Sequence, residues 1–231
     1  MRKHAGFVVF SLLCILAASA HAQTNYRVEV YGSANVPLDK EFEISMPQST
    51  IPLEGKFDWS PGVRGGIRFG VDGLRHWGQD ITYSYGTNAA KITVNPNGEF
   101  AFTSRTHQFA YNAIFYPVSL NKSKVMPYFT GGAGGTIFTL SQKSIDQALL
   151  EGLGTLQDHV SFTFNAGGGV RIQFSDGFGI RLDVRDWMSH PPRYGIPASS
   201  TDPQTFVFPV NGVFHQVELS FGLVYCIRRS H

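Results

Sequence analysis

The amino-acid sequence specifies an all-β fold: an eight-stranded antiparallel up-and-down transmembrane β-barrel, with a short helix in one external loop. Three observations lead there. Apolar and polar residues alternate at period two along the chain, as they must where successive side chains point to opposite faces. Eight such segments occur, roughly 26–34, 61–71, 76–87, 104–116, 125–138, 159–174, 177–188 and 214–227, and single-chain bacterial barrels have an even number of strands. The connections between them alternate strictly between short and long.

In the first segment Arg27 and Glu29 alternate with apolar neighbours, and in the second Val63, Ile67 and Phe69 oppose Arg64 and Arg68. The third sets Trp77, Ile81, Tyr83 and Tyr85 against Asp80, Thr82 and Ser84. The fifth, MPYFTGGAGGTIF, holds too much glycine to assign its faces. In the sixth, Val160, Phe162, Phe164, Ala166, Val170, Ile172 and Phe174 share one face, and Ser161, Thr163, Asn165, Arg171 and Gln173 the other. The seventh, GIRLDVRDW, threads Arg181, Asp183 and Arg185 between Ile180, Leu182 and Val184. The last sets Val217, Leu219, Phe221, Leu223 and Tyr225 against Gln216, Glu218, Ser220 and Gly222.

Tight Asp-Gly turns follow the second segment (Asp72-Gly73) and the sixth (Asp176-Gly177), and PVSLNKSK links the fourth to the fifth. The remaining links, about 35–60, 88–103, 139–158 and 189–213, are long. Short periplasmic turns and longer external loops characterise outer-membrane barrels, whereas a sandwich has no reason to sort its loops this way. In the third long link, Ile145, Ala148, Leu149 and Leu153 have helical spacing, and Ser144 with Gln147 resembles a capping box.

The N-terminus reads as a secretory signal peptide over residues 1–22. Arg2 and Lys3 precede the apolar run FVVFSLLCILAASA, and Ala20-His21-Ala22 offers small residues for cleavage. Leu13 is too bulky for lipid anchoring at Cys14. The barrel domain is then 23–231. Cleavage takes the 19 basic and 17 acidic residues of the chain to 17 of each, so no basic excess remains to attract nucleic acid. Cys226 is the one cysteine left, which precludes an intrachain disulfide.

A bilayer demands a greasy outer wall, a polar interior and no open sheet edge. The apolar faces therefore meet lipid, with Trp77, Tyr83, Tyr85, Tyr111, Tyr116 and Tyr225 as candidates for the interfacial girdles. The same parity turns Arg27, Glu29, Arg64, Arg68, Asp80, Arg171, Arg181, Asp183, Arg185 and Glu218 inward. All six cations are arginine, whose planar fork engages several acceptors at once. Eight strands leave a lumen just wide enough for side chains to fill, so the expected interior is a plug of paired charges. The alternative is an anion path lined by the two surplus arginines.

On PYFTGGAGG (127–135), NAGGGVRIQF (165–174) and GIRLDVRDW (179–187), the chain resembles the small bacterial outer-membrane β-barrels related to the outer-membrane protein A transmembrane domain. That resemblance implies residence in the bacterial outer membrane as a monomer, among its lipid and lipopolysaccharide. It also implies delivery by periplasmic chaperones and the barrel-assembly machinery. Ser220, Gly222, Tyr225 and Ile227 fit the spacing of the signal read by that machinery, although Arg228-Arg229-Ser230-His231 follow where many relatives end on an aromatic residue.

Catalysis finds little support in the residues. His159 and Ser161 lie on one face and resemble part of the His-Ser arrangement of lipid A deacylases, but Phe162 stands where an asparagine is wanted. His76, His107, His190 and His215 are scattered, without metal-ligand spacing. Asp183 is flanked by two arginines, and a doubly paired carboxylate is a poor proton shuttle. No glycine run opens a helix after a parallel strand, so none reads as a phosphate loop. The expectation is a barrel without cofactor or metal, acting structurally or through external loops of unknown partner. A narrow solute channel is the first alternative, and a lipid A-modifying enzyme the second.

Overall fold

The computed structural model describes residues 25–38, 41–46, 53–73, 76–94, 98–120, 123–150, 156–202, 205–210 and 212–227. The expected signal peptide 1–22 with Cys14, Leu153 of the expected helix, and residues 228–231 lie outside the described residues. The strands are β1 (Asn25–Pro37), β2 (Glu41–Met46), β3 (Leu53–Asp72), β4 (Trp77–Val94), β5 (Gly98–Phe115), β6 (Val125–Leu140), β7 (His159–Gln173), β8 (Phe178–Ser189) and β9 (Phe214–Ile227). A single helix among the described residues, α1 (Gln142–Leu150), lies between β6 and β7.

Each strand from β3 to β8 pairs antiparallel with the next, and β1 pairs with both β9 and β3. Those eight strands close the barrel and leave no edge along the wall. The additional strand, β2, pairs only with the start of β3, from Glu41 opposite Asp58 to Met46 opposite Leu53.

The outer wall is greasy. Val30, Phe69, Ile81, Phe109, Phe129, Phe162, Leu182, Leu219 and Leu223 are all exposed, a pattern intelligible only if lipid covers it. At the short-turn end the tilted rings of Trp77 and Phe115 lie with centroids 5.1 Å apart, and those of Phe178 and Tyr225 at 5.0 Å. Tyr116 does not join this girdle. It is 1% exposed and continues the inward parity of Asn112 and Ile114, and its hydroxyl finds charged partners in the lumen.

Segments 88–103 and much of 35–60 are strand, not loop. β4 and β5 stay paired up to Val94 opposite Gly98, and β3 begins at Leu53. The reason is a reversal of polarity. Below Thr87 and Arg105, grease faces out and polar groups face in. Above them Ala90, Ile92, Phe100 and Phe102 are buried inside, while Lys91 and Glu99 pair outside at 3.0 Å. That is the pattern of a sheet in water, so the wall leaves the membrane at this level and continues beyond it. A bulge between Trp59 and Gly62 shifts the parity of β3, which puts Trp59 and Arg64 on the same inner side.

The projecting inner face carries its own core. Phe57, Trp59, Phe100 and Phe102 pack with Phe138 and Phe214, and with Ala148 of α1, Leu156, Tyr194, Ile196 and Phe208 from the two longest connections. Ser141, not Ser144, caps α1. The Ser144 amide donates to Ser141 Oγ at 3.2 Å, and Ser144 itself is buried. Tyr194 has a left-handed backbone (φ 49°), unusual for a residue with a side chain. Its ring stacks on Trp59 with centroids 6.1 Å apart, and its hydroxyl bonds Ser104 Oγ at 2.8 Å. Burial holds that phenol well above its ordinary pKa, so it serves as a neutral hydrogen-bonding group.

Close strand approach depends on glycine at Gly134. A Cβ there would lie 1.8 Å from the Phe109 carbonyl oxygen and 2.7 Å from Ala110 Cα, both backbone atoms of β5. Gly134→Ala is expected to cost about 1–3 kcal/mol through overpacking. The check is a fall in the fraction of heat-modifiable, folded barrel on a gel.

Candidate functional site: the filled lumen

Period two on six of the eight wall strands sends the ionic side chains to one interior. All ten charges named from the sequence are there, from Arg185 at 0% exposed to Arg27, Arg64 and Arg171 at 4%. An eleventh, Asp72, joins them at 3%. In sequence Asp72 reads as part of an Asp-Gly turn, yet it continues the inward parity of Arg68 and Gly70. Six arginines thus meet five carboxylates, so one positive charge is in surplus and not two.

The charges form three levels. At the short-turn end Asp72 takes Arg27 on one oxygen at 2.9 Å and Arg171 on the other at 2.7 Å. The Tyr116 hydroxyl accepts from Arg27 at 2.5 Å and donates to Asp72 at 3.2 Å.

At the middle level Arg181 reaches four side chains. Its Nη1 donates to Asp80 at 3.1 Å and Glu29 at 3.3 Å, its Nη2 to Asp183 at 3.1 Å, and its Nε to the Tyr128 hydroxyl at 2.6 Å. The Tyr128 hydroxyl in turn donates a hydrogen bond to Asp183. The second oxygen of Asp183 accepts from Arg185 Nε at 2.6 Å. Arg68 donates to Glu29 at 2.6 Å and lies over the Tyr31 ring at 3.8 Å. Asn112 braces Asp80 at 2.6 Å.

The upper level is Arg64, which donates to Glu218 at 3.3 Å, Gln108 at 3.0 Å and Gln216 at 2.6 Å. Above it lies the aromatic core.

Register explains the layering. Arg171 and Arg181 are direct partners across β7 and β8, where like charges repel. They diverge, Arg171 to Asp72 and Arg181 to Asp80, so each guanidinium meets carboxylate and not its neighbour. Glycines make the room. A Cβ on Gly222 would sit 2.3 Å from Glu29 Oε1, and one on Gly169 would sit 2.6 Å from the Tyr128 hydroxyl. Gly222 of the proposed assembly signal therefore has a packing task in the finished barrel. Ser220 of that signal is buried and accepts from Arg68 at 3.2 Å, while Tyr225 and Ile227 face outward. Tyr116 and Tyr128 are hubs of the two lower levels; at a strand end Tyr116 reads as a girdle residue, and the glycine-rich segment of Tyr128 gives its faces no assignment from sequence.

His159 and Ser161 sit on the inner face near the rim. The Ser161 hydroxyl accepts from the His190 amide at 3.1 Å and donates to the Phe162 carbonyl at 3.3 Å. The His159 ring lies 6.2 Å from Phe138. On the outer face His215 meets Asp186 at 2.7 Å, and His107 meets the Tyr83 hydroxyl at 3.1 Å. Among the described residues no three His, Cys, Asp or Glu side chains converge as a metal site.

Comparison with known proteins agrees with this architecture. The outer membrane protein OprG from Pseudomonas aeruginosa is similar over 91% of this chain and 99% of its own, at 14% identity and a TM-score of 0.58. AlkL, solved in lipid bilayers, is similar over 92% of this chain and 94% of its own, at 13% identity and a TM-score of 0.49. Neisserial surface protein A is similar over 88% and 97%, at 12% identity and a TM-score of 0.43. At 14% identity OprG attests the fold alone. No curated protein sequence matches the chain. The family model described as outer membrane protein beta-barrel domain matches residues 8–214. The chain belongs to that family and is a β-barrel of the bacterial outer membrane.

Proposed function

We propose that the protein is a non-conducting barrel, a fixed platform in the cell envelope whose working surface is its external end. The observation that carries this reading is the double closure of the lumen. Eleven charged side chains interlock across it, and the aromatic core seals the external mouth above them. Buried charges stay in such a place only when each is paired, and a paired lattice leaves solutes no mobile counter-charge to follow. The protein works as a monomer among lipid and lipopolysaccharide, and Ser220, Gly222, Tyr225 and Ile227 serve its delivery by the assembly machinery.

The non-enzymatic reading draws on Ser161, whose hydroxyl is already committed to backbone on both sides. A lipid A mobility assay is expected to show the same profile for wild type and His159→Ala. The platform reading is tested by liposome swelling. Vesicles containing the refolded chain are expected to swell in isosmotic glycine or arabinose no faster than protein-free vesicles. Swelling that rises with protein content would instead favour the narrow channel.

A further inference from the structure

Below the charge lattice the periplasmic mouth opens into a cavity of about 730 Å³. Its lining includes Asp72, Lys124, Met126, Arg171, Phe174 and Asp176. Arg171 is 4% exposed and rises from the cavity floor. Its Nη1 holds Asp72 and its Nη2 points at Met126 Sδ, 3.3 Å away, a weak acceptor. Its Nε carries a buried N–H with no hydrogen-bond partner. A buried charged donor left unpaired is costly, and in an open vestibule a ligand can remove that cost.

The charge balance points the same way. Asp72 is shared by two guanidiniums, those of Arg27 and Arg171, so this level holds the surplus positive charge of the lumen. Lys124 adds a second cation at the exposed rim, where Asp176 also lines the cavity. An arginine donor and a lysine lining one cavity suit an oxyanion, since a guanidinium offers directed N–H groups and an ammonium a movable point charge.

The geometry points to a binding site for a small oxyanion, a phosphate or carboxylate group, in the periplasmic vestibule, with Arg171 as the buried donor and Lys124 as the rim cation. The site is the periplasmic face of the plug's lowest level, so a ligand can occupy it without passing through the lumen. Its ligand arrives from the periplasm, as a free anion or as the acidic group of a larger molecule.

The test is the side-chain Nε–H resonance of Arg171, followed by NMR in the full-length chain refolded into nanodiscs. Inorganic phosphate is titrated in one arm and acetate in the other, each against chloride at matched ionic strength. The expected result is a saturable shift in at least one arm, with an apparent affinity at least fivefold weaker in Lys124→Ala. That variant alters an exposed side chain, and heat-modifiable migration verifies that it folds. The stronger arm identifies the group as phosphate or carboxylate. A resonance that does not saturate, that moves equally with chloride, or that is indifferent to Lys124→Ala overturns the site.

Discussion

Arg181→Ala is expected to destabilise the barrel by about 3–5 kcal/mol, the typical cost of stripping one partner from a buried ionic cluster. The variant deletes one side chain but leaves Asp80, Glu29 and Asp183 short of a cation, three carboxylates that Arg181 reaches within 3.3 Å. The Tyr128 hydroxyl loses its Nε donor at the same time. Arg68 and Arg185 remain near Glu29 and Asp183, so Asp80 suffers most, keeping only Asn112 and Thr82. Arg181→Lys should recover only part of the loss, because one ammonium cannot span three carboxylates and a phenol. Urea unfolding of the refolded barrel, followed by tryptophan fluorescence, measures both. Equal stability of wild type and Arg181→Ala would contradict the placement of Arg181 as the hub.

Trp59→Ala is expected to act at the other end and by another mechanism. Trp59 is 1% exposed and touches Phe57, Phe138, Tyr194 and Phe214, so its loss empties the centre of the external core at about 3–5 kcal/mol. The damage should stay local, since the charge lattice and lipid-facing wall use none of these rings. Arg193 reports on it, because it is held by the Val210 carbonyl at 2.6 Å in the connection that the core pins down. Trypsin should cut after Arg193 much faster in Trp59→Ala, while heat-modifiable migration persists. Unchanged cleavage would mean that the connection is held by something other than the core.

The two ends of the barrel were unequally legible in the sequence. Within the membrane, period two is enforced by two opposed solvents, lipid outside and a polar lumen inside. A single rule therefore placed Arg27, Glu29, Asp80, Arg171 and Glu218 as readily as the obvious Arg181-Asp183-Arg185 run. It missed Asp72 because Asp-Gly is also a turn signal, and it misplaced Tyr116 because an aromatic residue at a strand end satisfies two rules at once. Which carboxylate each arginine takes was not readable, since partners such as Arg64 and Glu218 lie 154 positions apart.

Beyond the membrane the rule inverts. Ala90, Ile92, Phe100 and Phe102 alternate as regularly as the lipid face below, but they point inward. A reading tuned to grease-out therefore stopped at Thr87 and left 88–103 as loop. The bulge after Trp59 hid the rest, because it breaks the parity that would have joined Trp59 to Arg64 on one side. The aromatic cap was invisible for a further reason. Tyr194, Ile196 and Phe208 come from a proline-rich connection with no periodicity of its own, and only packing recruits them.

Single-channel recording in planar bilayers tests the closed lumen most directly. The wild-type chain, inserted at known density, is expected to give no discrete openings across the voltage range that the bilayer tolerates. Ohmic, anion-selective openings that change amplitude in Arg64→Ala or Arg181→Ala would contradict it, because they would place a continuous conducting path alongside the paired charges.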